Sequence, residues 1–318
     1  MICAEKYNLK GILSYTTYTS GEMKDCKLDK YNEIRIGGKT FIPRYKKPDE
    51  RKKDNKTITF YESGNIKSMA LEEQAEVTTS VGDIRAELIT FYEDGAVDSL
   101  FPLNGQIGFG WSEKDEEQLL EELQFDLPLA GFKTKIIGLR FYNTGSLKSL
   151  ILWPKKTIEI KTPIGIYPVR TGFRLYEDGA LESFEPAVPV SIQSSIGTVI
   201  AFDQNAAGMD ADFNSVKFYP DGRLQSLCTN SDIVINRISV PERTIIYQQL
   251  RLDMLTNEMV KVPVTVSFHE NKVTVDNAVE KLTFSISDSK FLFLHDGSYM
   301  EKKCSPGSDC SGCGASCM

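Results

Sequence analysis

Histidine is almost absent from this chain: of 318 residues only His269 and His295 are histidine. Both fall near turns of expected hairpins and read as surface residues rather than ligands. So little imidazole leaves acid–base catalysis of the commonest kind almost nothing to work with. There is no GxSxG nucleophile turn, no HExxH zinc pair and no glycine-rich phosphate loop. The expectation is a protein that is not an enzyme. No apolar run approaches the roughly 18 residues of a membrane helix. The opening MICAEKYNLKGILSY lacks the charged-then-apolar order of a secretory signal. Positive charge is not in excess either: 37 Lys and Arg stand against 44 Asp and Glu, for a net charge of -7. That argues against a general nucleic-acid binder, which carries a basic footprint. Together these absences predict a cytoplasmic protein with no membrane and no nucleic-acid partner.

What the chain has in abundance is one short pattern. ITFYESGNIKSM begins at Ile58, ITFYEDGAVDSL at Ile89, LRFYNTGSLKSL at Leu139, FRLYEDGALESF at Phe173 and VKFYPDGRLQSL at Val216. Looser copies are TTYTSGEMKDC from Thr16, FLHDGSYM from Phe293 and SFHENKV from Ser267, the last with Asn271 in the glycine place. Aromatic and β-branched residues flanking a Gly turn predict a β-hairpin. Pro220 in YPDG decides the turn type. A two-residue type I′ turn would put Pro220 at the end of a strand, where it has no N–H for the ladder. A type I turn with Pro220 at its second position and Gly222 left-handed, making a G1 bulge, fits better. That register pairs Phe91 with Val97, Phe141 with Leu147 and Phe218 with Leu224 on the core face. Ser68, Ser99, Ser149, Ser183 and Ser226 are expected on the same face as small packing residues.

A second signature lies between the hairpins: VTTSVG ends at Gly82, IKTPIG at Gly165 and SIQSSIG at Gly197. Each unit then holds two hairpins. The fold class expected is all-β: repeated hairpins in an extended meander or solenoid-like sheet array, with a β-propeller as the alternative and one short acidic helix. The pattern resembles the membrane occupation and recognition nexus repeats, especially their degenerate form in antitoxin-like bacterial proteins, with FYEDGAVDSL and YEDGALESF carrying the likeness best. The units here are longer and have the extra VG/IG turn. The resemblance implies a hairpin array used for binding or scaffolding, with a protein partner and no catalytic residue.

The expected organisation is a hairpin region over 1–43, a basic linker over 44–56, the repeat array over 57–300 and a flexible cysteine-rich tail over 301–318. RYKKPDERKKDNK, from Arg44, reads as a mobile, solvated connection. A helical insertion is expected near 112–125. Ser112 caps it with Asp115 three residues on, Leu119, Leu120 and Leu123 form one stripe, and its acidic face is solvated. Asp210, Asp212 and Asn214 alternate as at the start of a calcium loop, but Ser215 stands where that loop needs Gly, so a polar turn is expected.

The seven cysteines are unevenly placed. Cys3, Cys26 and Cys228 are isolated, and the last two read as packing thiols. The other four, Cys304, Cys310, Cys313 and Cys317, follow a C-x5-C-x2-C-x3-C spacing. Four thiolates suit tetrahedral zinc or an iron–sulfur cluster, and the Ser, Gly and Ala between them let a short chain wrap one centre. CSGCGASC shares the C-x2-C-x3-C part of a ferredoxin spacing, while the first interval is five instead of two. Three functions follow as expectations: a β-repeat scaffold with a four-cysteine metal site, a carrier whose tail is modified by a partner enzyme, or a plain interaction module with a redox-active or inert tail.

Overall fold

The computed structural model describes residues 2–47, 49–105, 108, 110–206, 214–253 and 257–295. The chain forms two units, one of residues 1–187 and 206–225, the other of 188–205 and 226–318.

In the first unit every copy of the pattern is a hairpin bent at Tyr-x-x-Gly. Gly64, Gly95, Gly145, Gly179 and Gly222 all have φ between 81° and 91°, the left-handed region that a side chain disfavours. The Gly64 amide donates to the Tyr61 carbonyl at 2.9 Å, and the Tyr61 amide donates to Asn65 at 2.8 Å. The same two bonds recur at Tyr92, Tyr142, Tyr176 and Tyr219. This is the type I turn with a glycine bulge that Pro220 requires. Phe60 faces Ile66, Phe91 faces Val97, Phe141 faces Leu147 and Leu175 faces Leu181, as the pattern predicts.

The serines lie on the opposite face, where Ser99, Ser149 and Ser183 are nonetheless buried, as small packing residues would be. Ser68 faces Thr59, Ser99 faces Thr90, Ser149 faces Arg140 and Ser183 faces Arg174, each one residue from the core pair. Adjacent residues on a strand point to opposite faces, so these serines sit across the sheet from the phenylalanines. The bulge is the cause, because its extra residue flips the following side chains.

Two rows therefore cross the strands of this unit. On the core face Cys26 pairs with Ile58, Ile58 with Met69, Met69 with Ile89 and Ile89 with Leu100. Leu139, Leu150, Phe173, Phe184 and Val216 continue the row, and every member is buried. On the other face run Asp25, Thr59, Ser68, Thr90, Ser99 and Arg140, then Ser149, Arg174, Ser183 and Lys217. Consecutive hairpins pair edge to edge in chain order, so the array is an open sheet rather than the separate four-stranded blades of a propeller.

Inserted hairpins cover the core face. The strands Ile34–Ile36 and Lys39–Phe41 pair, and the Phe41 ring meets Phe91 edge-on at 6.3 Å. The hairpin of Ile158–Thr162 with Gly165–Leu175 sets Tyr167 against Phe184 at 5.8 Å. At the second set of turns the Thr79, Thr162 and Ser194 hydroxyls donate to the carbonyls of Gly82, Gly165 and Gly197. The third of these turns is in the second unit.

Two expected elements differ. The helix spans only Glu113–Gln118, although Ser112 and Asp115 do form the expected capping box. Leu123 instead opens the strand Leu123–Leu127, which pairs with Ala130–Thr134. The alternation in LQFDL buries Phe125, which one helical stripe could not achieve alongside Leu120. The basic segment is solvated only in part: Lys46, Lys47, Lys53 and Lys56 are exposed, but Arg44 is buried with its amide donating to Ala70, and Arg51 is clasped as described below.

The second unit repeats the two-row principle. Leu227, Val266, Val275 and Leu282 align across four strands, with Ser226, Ser267, Thr274 and Thr283 aligned on the opposite face. A separate sheet holds Arg243–Ile246, Ser231–Arg237 and Ser289–His295. Among the described residues no helix is long and apolar enough to cross a membrane.

Candidate functional site

The most regular chemical feature of the first unit is a line of tyrosines. Each repeat hands its tyrosine hydroxyl to the main chain of the next. Tyr18 donates to the Phe60 carbonyl at 2.7 Å, Tyr61 to Phe91 at 2.8 Å and Tyr92 to Phe141 at 2.8 Å. Tyr142 donates to Leu175 at 2.8 Å and Tyr176 to Phe218 at 2.7 Å. Burial, then nearby charge, raises the pKa of Tyr61, Tyr92, Tyr142 and Tyr176 above the ordinary tyrosine value, so these hydroxyls stay protonated donors. Lys24, Lys67, Lys148 and Arg223 lie over the rings of Tyr18, Tyr61, Tyr142 and Tyr219 at 5.4 to 5.8 Å. Such contacts add attraction between the cation and the ring face.

Tyrosine was legible in the pattern only as a strand-favouring aromatic. The missed signal is the choice of Tyr over Phe in all five clear copies, which sterics alone do not require. Tyr92→Phe keeps the ring and removes one inter-repeat bond. It is expected to cost about 1 kcal/mol, read as a lower urea midpoint with unchanged slope.

A second cluster joins three separate segments. Arg51 sits in the basic stretch, Glu87 on the strand Gly82–Phe91 and Glu116 on the short helix. Arg51 donates to both oxygens of Glu87 at 2.9 and 2.8 Å and to both oxygens of Glu116 at 2.8 Å. The Trp111 indole N–H reaches Glu116 at 2.9 Å, and the Asn104 amide reaches Glu87 at 3.2 Å. Both carboxylates are buried. Burial opposes the guanidinium charge, but the two carboxylates outweigh it and raise its pKa above the ordinary arginine value. With its acceptors filled from within the fold, the cluster acts as a clasp. Glu116 corrects the expectation that the helix's acidic face is all solvated.

An open cleft of about 600 Å³ is lined by Lys6, Tyr7, Arg35, Phe91, Glu93 and Asp94, among others. Asp94 already accepts from the Ala96 amide at 3.0 Å and from Asn143 at 2.8 Å, and these bonds hold its carboxyl below the usual range. The lining offers two cations and two anions, and it contains no Ser, Thr, Cys or His to act as a nucleophile or imidazole base.

The sequence candidates are placed as follows. Cys304, Cys310, Cys313 and Cys317 lie outside the described residues, as do Asp210 and Asp212. Asn214 is buried and donates to the Ser183 hydroxyl at 3.1 Å. Cys26 is buried in the core row, and the Cys228 sulfur lies 3.6 Å from the Thr265 hydroxyl. His269 is exposed at the turn between two strands of the second unit. Among the described residues no group of three or more His, Cys, Asp or Glu is placed to hold a metal ion. No family model, no curated protein and no solved structure matches this chain.

Proposed function

We propose that this protein is a non-enzymatic β-repeat scaffold that presents its sheet to a protein partner and carries a metal centre on its C-terminal cysteines. The observation that carries the proposal is the C-x5-C-x2-C-x3-C run of Cys304, Cys310, Cys313 and Cys317 following a repeat array. Four thiolates complete a tetrahedral zinc site or anchor an iron–sulfur cluster. Gly312 and Gly314 flank Cys313, so the chain can turn tightly there and aim amide groups at sulfur. The scaffold part draws support from the tyrosine line, which ties each repeat to the next.

The test is metal content. Protein purified without oxygen from its native host is expected to hold stoichiometric zinc, or iron with acid-labile sulfide. Cys310→Ser and Cys313→Ser are each expected to remove that metal while leaving the β-sheet circular dichroism unchanged. Unchanged metal content in both variants would sink the metal assignment. A mass increase confined to residues 301–318 that survives reduction and unfolding would favour the carrier reading instead. The small residues between the cysteines suit enzymatic crosslinking as well as they suit metal.

A further inference from the structure

Most of the large apolar side chains exposed among the described residues belong to the second unit. Three of them share one face of its three-stranded sheet. Val234 pairs with Ile245 on one side and with Leu292 on the other, and Asp232 pairs with Leu294. Side chains alternate along a strand, so Val234, Ile245, Leu292, Asp232 and Leu294 point the same way. Leu292 is 55% exposed, Leu294 46% and Ile245 37%. Phe291 points to the opposite face, where its ring meets Phe284 edge-on at 6.2 Å.

The strand Ser289–His295 is an edge of that sheet: among the described residues it pairs only with Ser231–Arg237. An edge strand turns a row of N–H and C=O groups outward with no ladder partner, and proteins usually blunt it with Pro, a bulge or charge. Here seven consecutive residues pair without a shift, SKFLFLH contains no Pro, and Lys290 is its only Lys, Arg, Asp or Glu. The stretch is also symmetric about Leu292, with Phe on either side. A second copy laid antiparallel about a two-fold axis at Leu292 sets Leu292 on its mate, and sets Phe291 against Phe293 of the other copy twice over. The apolar row then runs Ile245–Val234–Leu292 and on through the same residues of the second copy. Charge matches as well. Lys290 is exposed and makes no ion pair among the described residues. In this pairing it lies opposite Leu294 of the second copy and two strands from that copy's Asp232, about 10 Å, which the two side chains together span. The Gln248 amide donates to one Asp232 oxygen at 2.9 Å, leaving the other for the lysine.

We propose that the strand Ser289–His295 pairs antiparallel with the same strand of a second copy of this chain, joining two three-stranded sheets into one of six strands with Leu292 at the two-fold axis. The rival occupant of the edge is the chain's own continuation, which matches it poorly. In the register of the other hairpins, a return after Gly297 sets Glu301 against Leu292 and Lys303 against Lys290, and like charges directly opposite destabilise a pair. From Glu301 onward EKKCSPGSDCSGCGASCM has no aromatic or β-branched residue and a Pro at 306, so it has little to lay on Leu292 and Leu294. This inference does not rest on the metal reading.

The experiment is sedimentation equilibrium of the full chain under reducing conditions, which prevent disulfides between tails. A reversible dimer is expected at micromolar concentration. Leu292→Lys changes an exposed side chain and sets like charges together at the axis. It is expected to weaken the dimer about tenfold or more, with circular dichroism checking the fold. Leu292→Cys reads the register. Directly opposite Cα atoms lie about 4.5–5.5 Å apart, within the span of a disulfide. Oxidised glutathione is therefore expected to link position 292 of one copy to position 292 of the other, identified by mass spectrometry of the digested protein. A parent that stays monomeric overturns the inference. So does a folded Leu292→Lys variant that dimerises unchanged, or a Leu292→Cys dimer without that link. A link within one chain from position 292 to Cys304 assigns the edge to the chain's own continuation and overturns it too. Metal content of the same samples reports on the tail separately, so the two proposals fail independently.

Discussion

Arg51→Met is expected to destabilise the first unit by about 3–5 kcal/mol, the range for stripping one partner from a buried ion pair. The loss arises less from the missing attraction than from what stays behind. Glu87 and Glu116 are 7% and 3% exposed, and each would lose two charge-assisted bonds. Arg51→Lys is expected to recover little, because one ammonium cannot supply two planar forks at once. The combined variant Arg51→Met, Glu87→Leu, Glu116→Leu removes the whole charge set and is expected to regain most of the stability. Urea unfolding followed by tryptophan fluorescence reads all three, since the Trp111 ring lies beside the clasp. A single Arg51→Met variant within about 1 kcal/mol of the parent would show that the clasp does not hold the basic stretch, the strand and the helix together.

The second large effect is at Gly172. Its φ is 140°, it follows Thr171 at φ 56°, and the pair forms the irregularity between Arg170 and Phe173. A Cβ built there would lie 2.0 Å from the Leu150 carbonyl oxygen, a main-chain atom in the neighbouring repeat's strand. Gly172→Ala must therefore push two paired strands apart, and a cost of about 4 kcal/mol or more is expected. Gly145→Ala is the control. Gly145 also has a positive φ, 84°, but nothing lies within 4 Å of its added methyl. Its cost is the backbone term alone, about 1–2 kcal/mol. Denaturation midpoints of the two variants should separate clearly, and equal midpoints would refute the packing account of Gly172.

These two sites show where local patterns stop being informative. The turn type was readable because Pro220 has no N–H to give a ladder and Gly222 tolerates a left-handed backbone, both local properties. The face of the serines was misread because a bulge shifts register by one residue, and one residue is enough to reverse a side chain. The helix cap at Ser112 was readable, since its partner Asp115 is three residues away. The helix end was not, because Leu123 is claimed by a strand pairing with Thr134. Arg51 of the basic stretch could not be told from its exposed neighbours, because its carboxylate partners, Glu87 and Glu116, are 36 and 65 residues distant.

The amino-acid sequence by itself determined the hairpin, its turn and bulge, the all-β class and the four-cysteine spacing. Each depends on steric or hydrogen-bonding preferences acting within a dozen residues. Only the tertiary structure decided that the tyrosine hydroxyls tie neighbouring repeats and that Arg51 clasps two carboxylates. It also decided that bases and serines from separate repeats align into one row. Those arrangements arise when strands distant in the chain pair in register. That register is set by burying the continuous apolar row from Cys26 to Val216, which no single repeat contains.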